Sequence, residues 1–280
     1  MKEEIVFVKT RDDPEVKIRL AKFPALKKEF SHRTIILVPG WLNAIDVFSP
    51  MAKALQPFSN AVIYEPRGFG ESISAHKKGI YSIEEYNEEF ATVINSLGLK
   101  DKEFIILGSC SGASQTFTYF LDGKGPKPNI LLAFHPEEYY NTPFWLSILG
   151  WIPTFLMKII QKMIIVIYRF YHKVRGTGES PTVTWSEERL KKNDDWCLRR
   201  FVLEFIVKYD IRGRQEEINV PLQMFVAGKD HFVKPEKAKK FLIHPDSDIV
   251  QIVTSLHRVH DGNEEEIAEK INGYLSKLKI

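Results

Sequence analysis

Gly108-Ser109-Cys110-Ser111-Gly112 sets a thiol among small residues, directly after the apolar run at 104–107. With a strand ending at Leu107-Gly108 and a helix beginning at Ser111, Cys110 occupies the sharp turn between them. Such a turn lifts the side chain above the end of a sheet, and small residues two positions before and after it avoid steric collision. The helix that follows aims its positive dipole end at the sulfur, which favours the nucleophilic thiolate. The chemistry this suggests is attack on an acyl carbonyl. A thiolate forms thioesters readily, and a thioester stays open to amines, alcohols, thiols and water. Two competing assignments come from the same residues. Ser109-Cys110-Ser111-Gly112-Ala113 also surrounds a serine with small residues, so a register shifted by one makes Ser111 the nucleophile; the strand end at Leu107-Gly108 favours Cys110. A buried structural cysteine is the other reading of an isolated motif of this kind. Cys197, beside Trp196, has no such surround and reads as a packing residue.

A turn of this type needs a buried sheet behind it. Residues 34–38, 61–64, 104–107, 130–134 and 222–227 are continuous apolar runs, as expected for parallel strands covered on both faces. Residues 4–9 and 15–21 read as an opening pair of strands, and 248–253 as a last one. Helical patterns fill 82–97, 111–121, 235–242 and 263–278. Ser82 with Glu85 three residues on forms a capping box at the start of the first of these. Alternating strands and helices imply an α/β architecture with a mostly parallel sheet. Residues 136–212 break the pattern, being rich in aromatic and apolar residues without a strand signal. The organisation expected is a core made of residues 1–135 and 213–280, with a helical, apolar cap inserted at 136–212.

The run around Cys110 resembles the nucleophile elbow of the α/β-hydrolase superfamily, with cysteine where most members have serine. The resemblance extends over nearly the whole chain outside 136–212. It implies an α/β-hydrolase fold, with flanking helices and an inserted cap, and it implies roles for further residues. Val38-Pro39-Gly40-Trp41 resembles the superfamily's oxyanion loop, with Pro39 in place of the common histidine. The Trp41 N–H, with Leu42 as the neighbouring alternative, and the Ser111 N–H would then receive the oxyanion. Glu65-Pro66-Arg67-Gly68-Phe69-Gly70 resembles the turn after the fourth strand, with Glu65 for the usual aspartate. Asp230, in Gly228-Lys229-Asp230, follows a strand as the superfamily's acid does, and His257 precedes the last helix as its histidine does, with Leu256 where a glycine is common. In the order Cys110, Asp230, His257, the histidine takes the thiol proton and returns it to the leaving group, while the aspartate orients the imidazole and balances its charge. Rival assignments are His260 as base and Glu137 as acid. A second function is also open: a catalytically inactive protein of this fold that binds an apolar ligand.

Bulk properties narrow the field. The 280 residues carry a net charge of +3, too small to imply nucleic-acid binding, and no zinc-finger or RNA-binding motif is present. No cofactor or metal is expected: HExxH, P-loop and dinucleotide glycine patterns are absent, and Gly68-Phe69-Gly70 is only a fragment of the last. Two distant cysteines and an N-terminus without an apolar signal core point to a cytoplasmic setting. The cap is the distinctive feature. Residues 144–157 are almost wholly apolar but interrupted by Pro153, and too short for the roughly 20 residues of a membrane span. In the helix expected at 158–173, Lys158, Lys162, Arg169 and Lys173 fall in one narrow sector, and apolar residues fill much of the rest. Three readings follow: a cap helix packed on the core, a lid over an acyl-chain site, or a helix lying on a membrane surface. The last two imply a hydrophobic small-molecule acyl substrate; peripheral membrane contact through the cap follows from the third, and oligomeric state is left open. Residues 179–184 read as a loop, 185–200 as a solvated helix, and Lys237, Lys239 and Lys240 as an exposed helix face.

Overall fold

The computed structural model describes residues 3–174, 181–228, 235–253 and 259–280. Strands β1 (Glu4–Arg11), β2 (Val16–Phe23), β3 (Thr34–Val38), β4 (Asn60–Glu65), β5 (Ile105–Ser109), β6 (Ile130–Phe134), β7 (Leu222–Ala227) and β8 (Asp248–Ile252) form one sheet, in the order β1-β2-β4-β3-β5-β6-β7-β8. The β1–β2 and β2–β4 pairs are antiparallel and the others parallel. β5, β6 and β7 are buried at every position, which is why they read as unbroken apolar runs. β1 has only one neighbour and leaves Phe7 half exposed.

The period-two alternation of the strands sorts side chains onto two faces. Ile36 and Val38 of β3 look toward α2 (Ile83–Ser96) and α3 (Ser111–Asp122), meeting Phe90, Val93 and Phe117. Ile35 and Leu37 look the other way, toward α1 (Ile45–Leu55) and α8 (Glu264–Lys277), meeting Phe48, Met51 and Ile271. Each face of the sheet is thus covered by a helix pair, and the sheet's C-terminal edge is left for loops.

α1 has no counterpart among the helices expected from sequence. Its first residue follows Ala44, which offers no side-chain cap, and Pro50 interrupts the pattern on the exposed side. The cap comes from far away in sequence. Glu65, fully buried at the end of β4, accepts the Ile45 N–H at 3.1 Å through one oxygen. Through the other it accepts the N–H groups of Glu71 at 2.7 Å and Ser72 at 3.1 Å. Burial raises the Glu65 carboxyl above its ordinary value, against the pull of these donors. Glu65→Gln presents an NH₂ to one set of N–H donors, and is expected to lower stability by about 1–3 kcal/mol in urea unfolding. A raised carboxyl keeps its proton longer in the fold than in the unfolded chain. Its contribution therefore declines as pH rises from the ordinary carboxyl range, and that slope is expected to disappear in Glu65→Gln.

Between β6 and β7 lie a 3₁₀ segment (Phe144–Gly150), α4 (Thr154–Val174), α5 (Pro181–Lys192) and α6 (Asp195–Glu204). Two expectations change here. The helix expected at 185–200 is broken, because Asp194 accepts the Cys197 N–H at 2.9 Å and starts α6 as its N-cap. Residues 181–184, read as loop, are helical, with Pro181 at the first position of α5, where its missing N–H is harmless. Nor is α6 solvated: Cys197, Leu198 and Phe201 join the same apolar layer as α2. The polar tract before it is a fastening. Arg189 and Lys192 reach Asp46 of α1 at 2.6 and 2.8 Å, and Asn193 accepts the Gly70 N–H at 2.9 Å. The helix expected at 235–242 is α7 (Pro235–Ala238) followed by a 3₁₀ turn, Lys239–Phe241. Lys239 and Lys240 are exposed, as expected, but two of the three lysines are paired: Lys237 holds Glu137 at 2.9 Å, and Lys240 pairs with Glu138. Among the described residues no helix is long and apolar enough to cross a membrane.

Candidate active site at the β5–α3 turn

Cys110 joins the last residue of β5 to the first of α3 with φ 51° and ψ −117°. A non-glycine residue seldom adopts such a backbone, and holding one there costs about 1–3 kcal/mol. Hydrogen bonds on both sides fix it. The Cys110 N–H donates to the Phe134 carbonyl of β6 at 2.9 Å, and the Cys110 carbonyl accepts the N–H groups of Ala113 at 2.9 Å and Ser114 at 3.2 Å. The side chain is partly accessible, whereas Cys197 is buried.

Three glycines let the backbones close around this turn. A Cβ on Gly108 would stand 2.5 Å from Ala113 Cα, and one on Gly112 2.1 Å from the Val38 carbonyl oxygen. A Cβ on Gly40 would stand 2.7 Å from the Ser109 oxygen and 3.2 Å from Cys110 Cβ. The loop after β3 therefore lies directly against the elbow. Its Trp41 N–H donates to Ser111 Oγ at 2.7 Å. Ser111, expected to contribute its N–H where Cys110 is the nucleophile, thus also occupies the neighbouring donor with its hydroxyl. The Ser111 N–H itself is in the first turn of α3, among the amides that have no acceptor within a helix.

Tyr140, in the loop after β6, was not among the residues singled out from sequence. Its phenol shares a hydrogen bond of 2.8 Å with Ser114 Oγ in the first turn of α3. Burial first, and then the electrostatic influence of the nearby Cys110 sulfur, push that phenol well above its usual range. Tyr209 packs against Tyr140 at 5.5 Å between ring centroids and donates to the Glu137 carbonyl at 2.7 Å. The only sequence signal for Tyr140 was its place just past a strand that borders β5.

Asp230 and His257 lie outside the described residues. The chain leaves β7 at Gly228 and β8 at Val253, on the same sheet edge as Cys110. A Cβ on Gly228 would stand 2.6 Å from the Val253 oxygen, so the two exits are in close contact. Of the rivals, His260 is buried with its ring 4.7 Å from Phe48 and 5.6 Å from Phe134, in the layer of α1 and α8. Glu137 is held by Lys237.

The turn after β4 is structural. Arg67, almost fully buried, donates to Glu89 of α2 at 2.5 Å and to the Ile80 carbonyl at 2.6 Å. Burial alone would lower its guanidinium, but the Glu89 carboxylate raises it above the ordinary value. Among the described residues one mixed group, His76, Asp194 and Cys197, brings its donor atoms within 4.8 Å of one another. Its members already have partners. Asp194 caps α6 and faces His76 at 3.0 Å, and Cys197 accepts the Tyr81 hydroxyl at 2.9 Å, its thiol pushed up by burial to about 12.

The family described as serine aminopeptidase, S33, matches residues 30–266. Among curated proteins nothing matches. Solved structures share the architecture from end to end. A bromoperoxidase from Bacillus anthracis superposes with a TM-score of 0.74 at 14% identity, covering 98% of this chain and 100% of that one. An esterase from Exiguobacterium antarcticum gives 0.72 at 16%, covering 97% and 99%. An enol-lactonase from Burkholderia xenovorans gives 0.70 at 15%, covering 93% and 97%. At such identities the likeness is one of fold. With the strand order, the strained turn after β5 and the family match in agreement, the chain belongs to the serine aminopeptidase, S33, family and to the α/β-hydrolase superfamily.

Proposed function

We propose that this chain is an acyl-transfer enzyme acting on a hydrophobic ester or thioester through Cys110. The strained Cys110 backbone carries the reading: a left-handed cysteine pinned by β6 and by α3, with glycines at the close backbone approaches around it. A structural cysteine gains nothing from that conformation, whereas a nucleophile gains access to substrate. In the mechanism, the Cys110 thiol gives its proton to His257 as sulfur bonds to the acyl carbon, and the carbonyl electron pair moves onto oxygen. That oxygen is received by the N–H groups of Ser111 and Trp41, the Ser111 hydroxyl turning away from Trp41 as the substrate arrives. Collapse breaks the bond to the alcohol or thiol, which leaves with the proton from His257, and Asp230 balances the imidazolium. Water or another acceptor, deprotonated by His257, then attacks the acyl-Cys110 thioester and restores the thiol. The family's name refers to peptide bonds, and the similar structures include an esterase and an enol-lactonase. All are acyl carbonyls, and a thioester intermediate suits transfer to acceptors besides water.

One observation favours a second reading. The Ser111 hydroxyl on the Trp41 N–H fills an oxyanion donor, as a protein that only binds ligand could tolerate. Intact-protein mass spectrometry after brief exposure to acyl thioesters and activated esters of graded chain length separates the two. The wild type is expected to gain the acyl mass, more so with longer chains, and Cys110→Ala to gain none. No adduct across the series, with iodoacetamide labelling as slow as for a buried thiol, establishes the binding protein instead.

A further inference from the structure

Among the described residues, α4 is attached to the protein by one side only. Ile160, Gln161 and Ile165 are partly covered, and Gln161 reaches Asp195 of α6 at 3.4 Å. The opposite side is apolar and open. Phe155, Ile159, Met163, Ile167 and Phe170 are each half or more exposed. Their three- and four-residue spacing lines them up as one stripe along the helix. Just before α4 in the chain, Phe144, 88% exposed, and Trp151, 89% exposed, are two further open apolar side chains. A contiguous apolar face of this kind marks an interaction surface.

Charge says what meets it. The sequence of α4, TFLMKIIQKMIIVIYRFYHKV, holds four Lys or Arg residues and no carboxylate. At about 100° per residue, Lys158, Lys162 and Arg169 form a row along one border of the apolar stripe. Glu187 of α5 pairs with Arg169 at 2.6 Å and Asp195 of α6 with Lys158 at 3.6 Å, both from behind the helix. A second copy of α4 offers the row no carboxylates, whereas the phosphates of a bilayer surface do. An amphipathic helix with cations at the edge of an apolar face, and with Trp and Phe at one end, is suited to lying in the headgroup plane. No helix among the described residues can cross the bilayer, so the attachment is peripheral.

We infer that α4 and the segment before it rest on an anionic phospholipid surface, seating the protein where acyl lipids or membrane-partitioned acyl thioesters are held. The substrate half of this inference rests on the acyl-transfer reading above; the docking half does not. Co-sedimentation of the full chain with phosphatidylcholine vesicles, with and without phosphatidylglycerol, tests it. Binding is expected to be at least about tenfold tighter with the anionic lipid and to weaken with salt, because each basic side chain near the surface contributes separately. Met163→Glu with Ile167→Glu places charge in the stripe, and Lys162→Glu reverses charge at its edge. Each is expected to abolish most binding while circular dichroism and acyl-adduct formation with a short, water-soluble activated ester stay as in the wild type. Failure to bind vesicles, or binding unaltered by these substitutions, overturns the docking. So does a dimer in light scattering that Met163→Glu with Ile167→Glu converts to monomer. Wild type that binds vesicles yet forms no acyl adduct overturns the enzymatic reading and leaves the docking standing.

Discussion

Cys110→Gly is expected to make the protein more stable and to end acyl transfer. The two effects have one origin. At φ 51° and ψ −117° the cysteine Cβ is held in a conformation that costs about 1–3 kcal/mol, and glycine adopts it without that strain. Against the gain stands the greater freedom of glycine in the unfolded chain, about 0.5–1 kcal/mol. Little packing is lost, since the side chain is partly exposed. The net expectation is a gain of about 0.5–2 kcal/mol in urea unfolding, with acyl transfer reduced at least about a thousandfold, as when a nucleophile is removed elsewhere. Cys110→Ala separates the two effects, because it keeps the Cβ and therefore the strain. Its stability should match the wild type within about 0.5 kcal/mol while its activity falls as far as that of the glycine variant. A glycine variant less stable than the alanine variant would mean that the turn is not strained and that access for a nucleophile is not what maintains it.

How much of this was visible in the sequence depends on where each element finds its partners. β3 to β7 are legible because burial on both faces demands unbroken apolar runs, a local property. The elbow is legible for a similar reason: Gly108 and Gly112 are needed within a few residues of Cys110. α1 was not, because its cap is Glu65, distant in sequence, and no pattern around Ala44 announces it. The break at Asp194 was passed over because a polar tract reads as a solvated surface, yet Arg189, Lys192 and Asn193 fasten this segment to α1 and to the turn after β4. Tyr140 and the Ser111 hydroxyl were missed for a third reason. Both act across the space between β6, α3 and the loop after β3, and only the assembled sheet edge brings those elements together. The unpartnered face of α4 lies between these cases: the sequence showed its apolar side and its cations, and the fold shows which side remains in the open.

Gly112→Ala is expected to cause the largest loss of stability of any single methyl addition at the elbow. The added carbon would stand 2.1 Å from the Val38 carbonyl oxygen and 2.5 Å from that of Pro39. Both obstacles are backbone, in and just after a central strand paired on both sides by β4 and β5. Neither can turn aside as a side chain would. Relief requires α3 to withdraw from β3, which opens the layer where Val38, Ala113 and Phe117 pack. Overpacking in a close-packed core costs about 1–3 kcal/mol or more, and an obstacle made of backbone places this site at or above the upper end. The same withdrawal separates Ser111 from the Trp41 N–H and moves Cys110 with the start of α3, so acyl-adduct formation should vanish even in whatever fraction folds. Gly273→Ala is the matched control. It sits in the interior of α8, where the new carbon meets nothing within 4 Å beyond the helix's own backbone, and helix propensity alone should stabilise it by about 0.5–1 kcal/mol. Opposite signs for one chemical change, measured by urea midpoints, follow only if the β3 loop and the start of α3 are as closely apposed as the fold shows. A Gly112→Ala protein as stable as the wild type would remove that apposition, and with it the reason for a glycine on each side of Cys110.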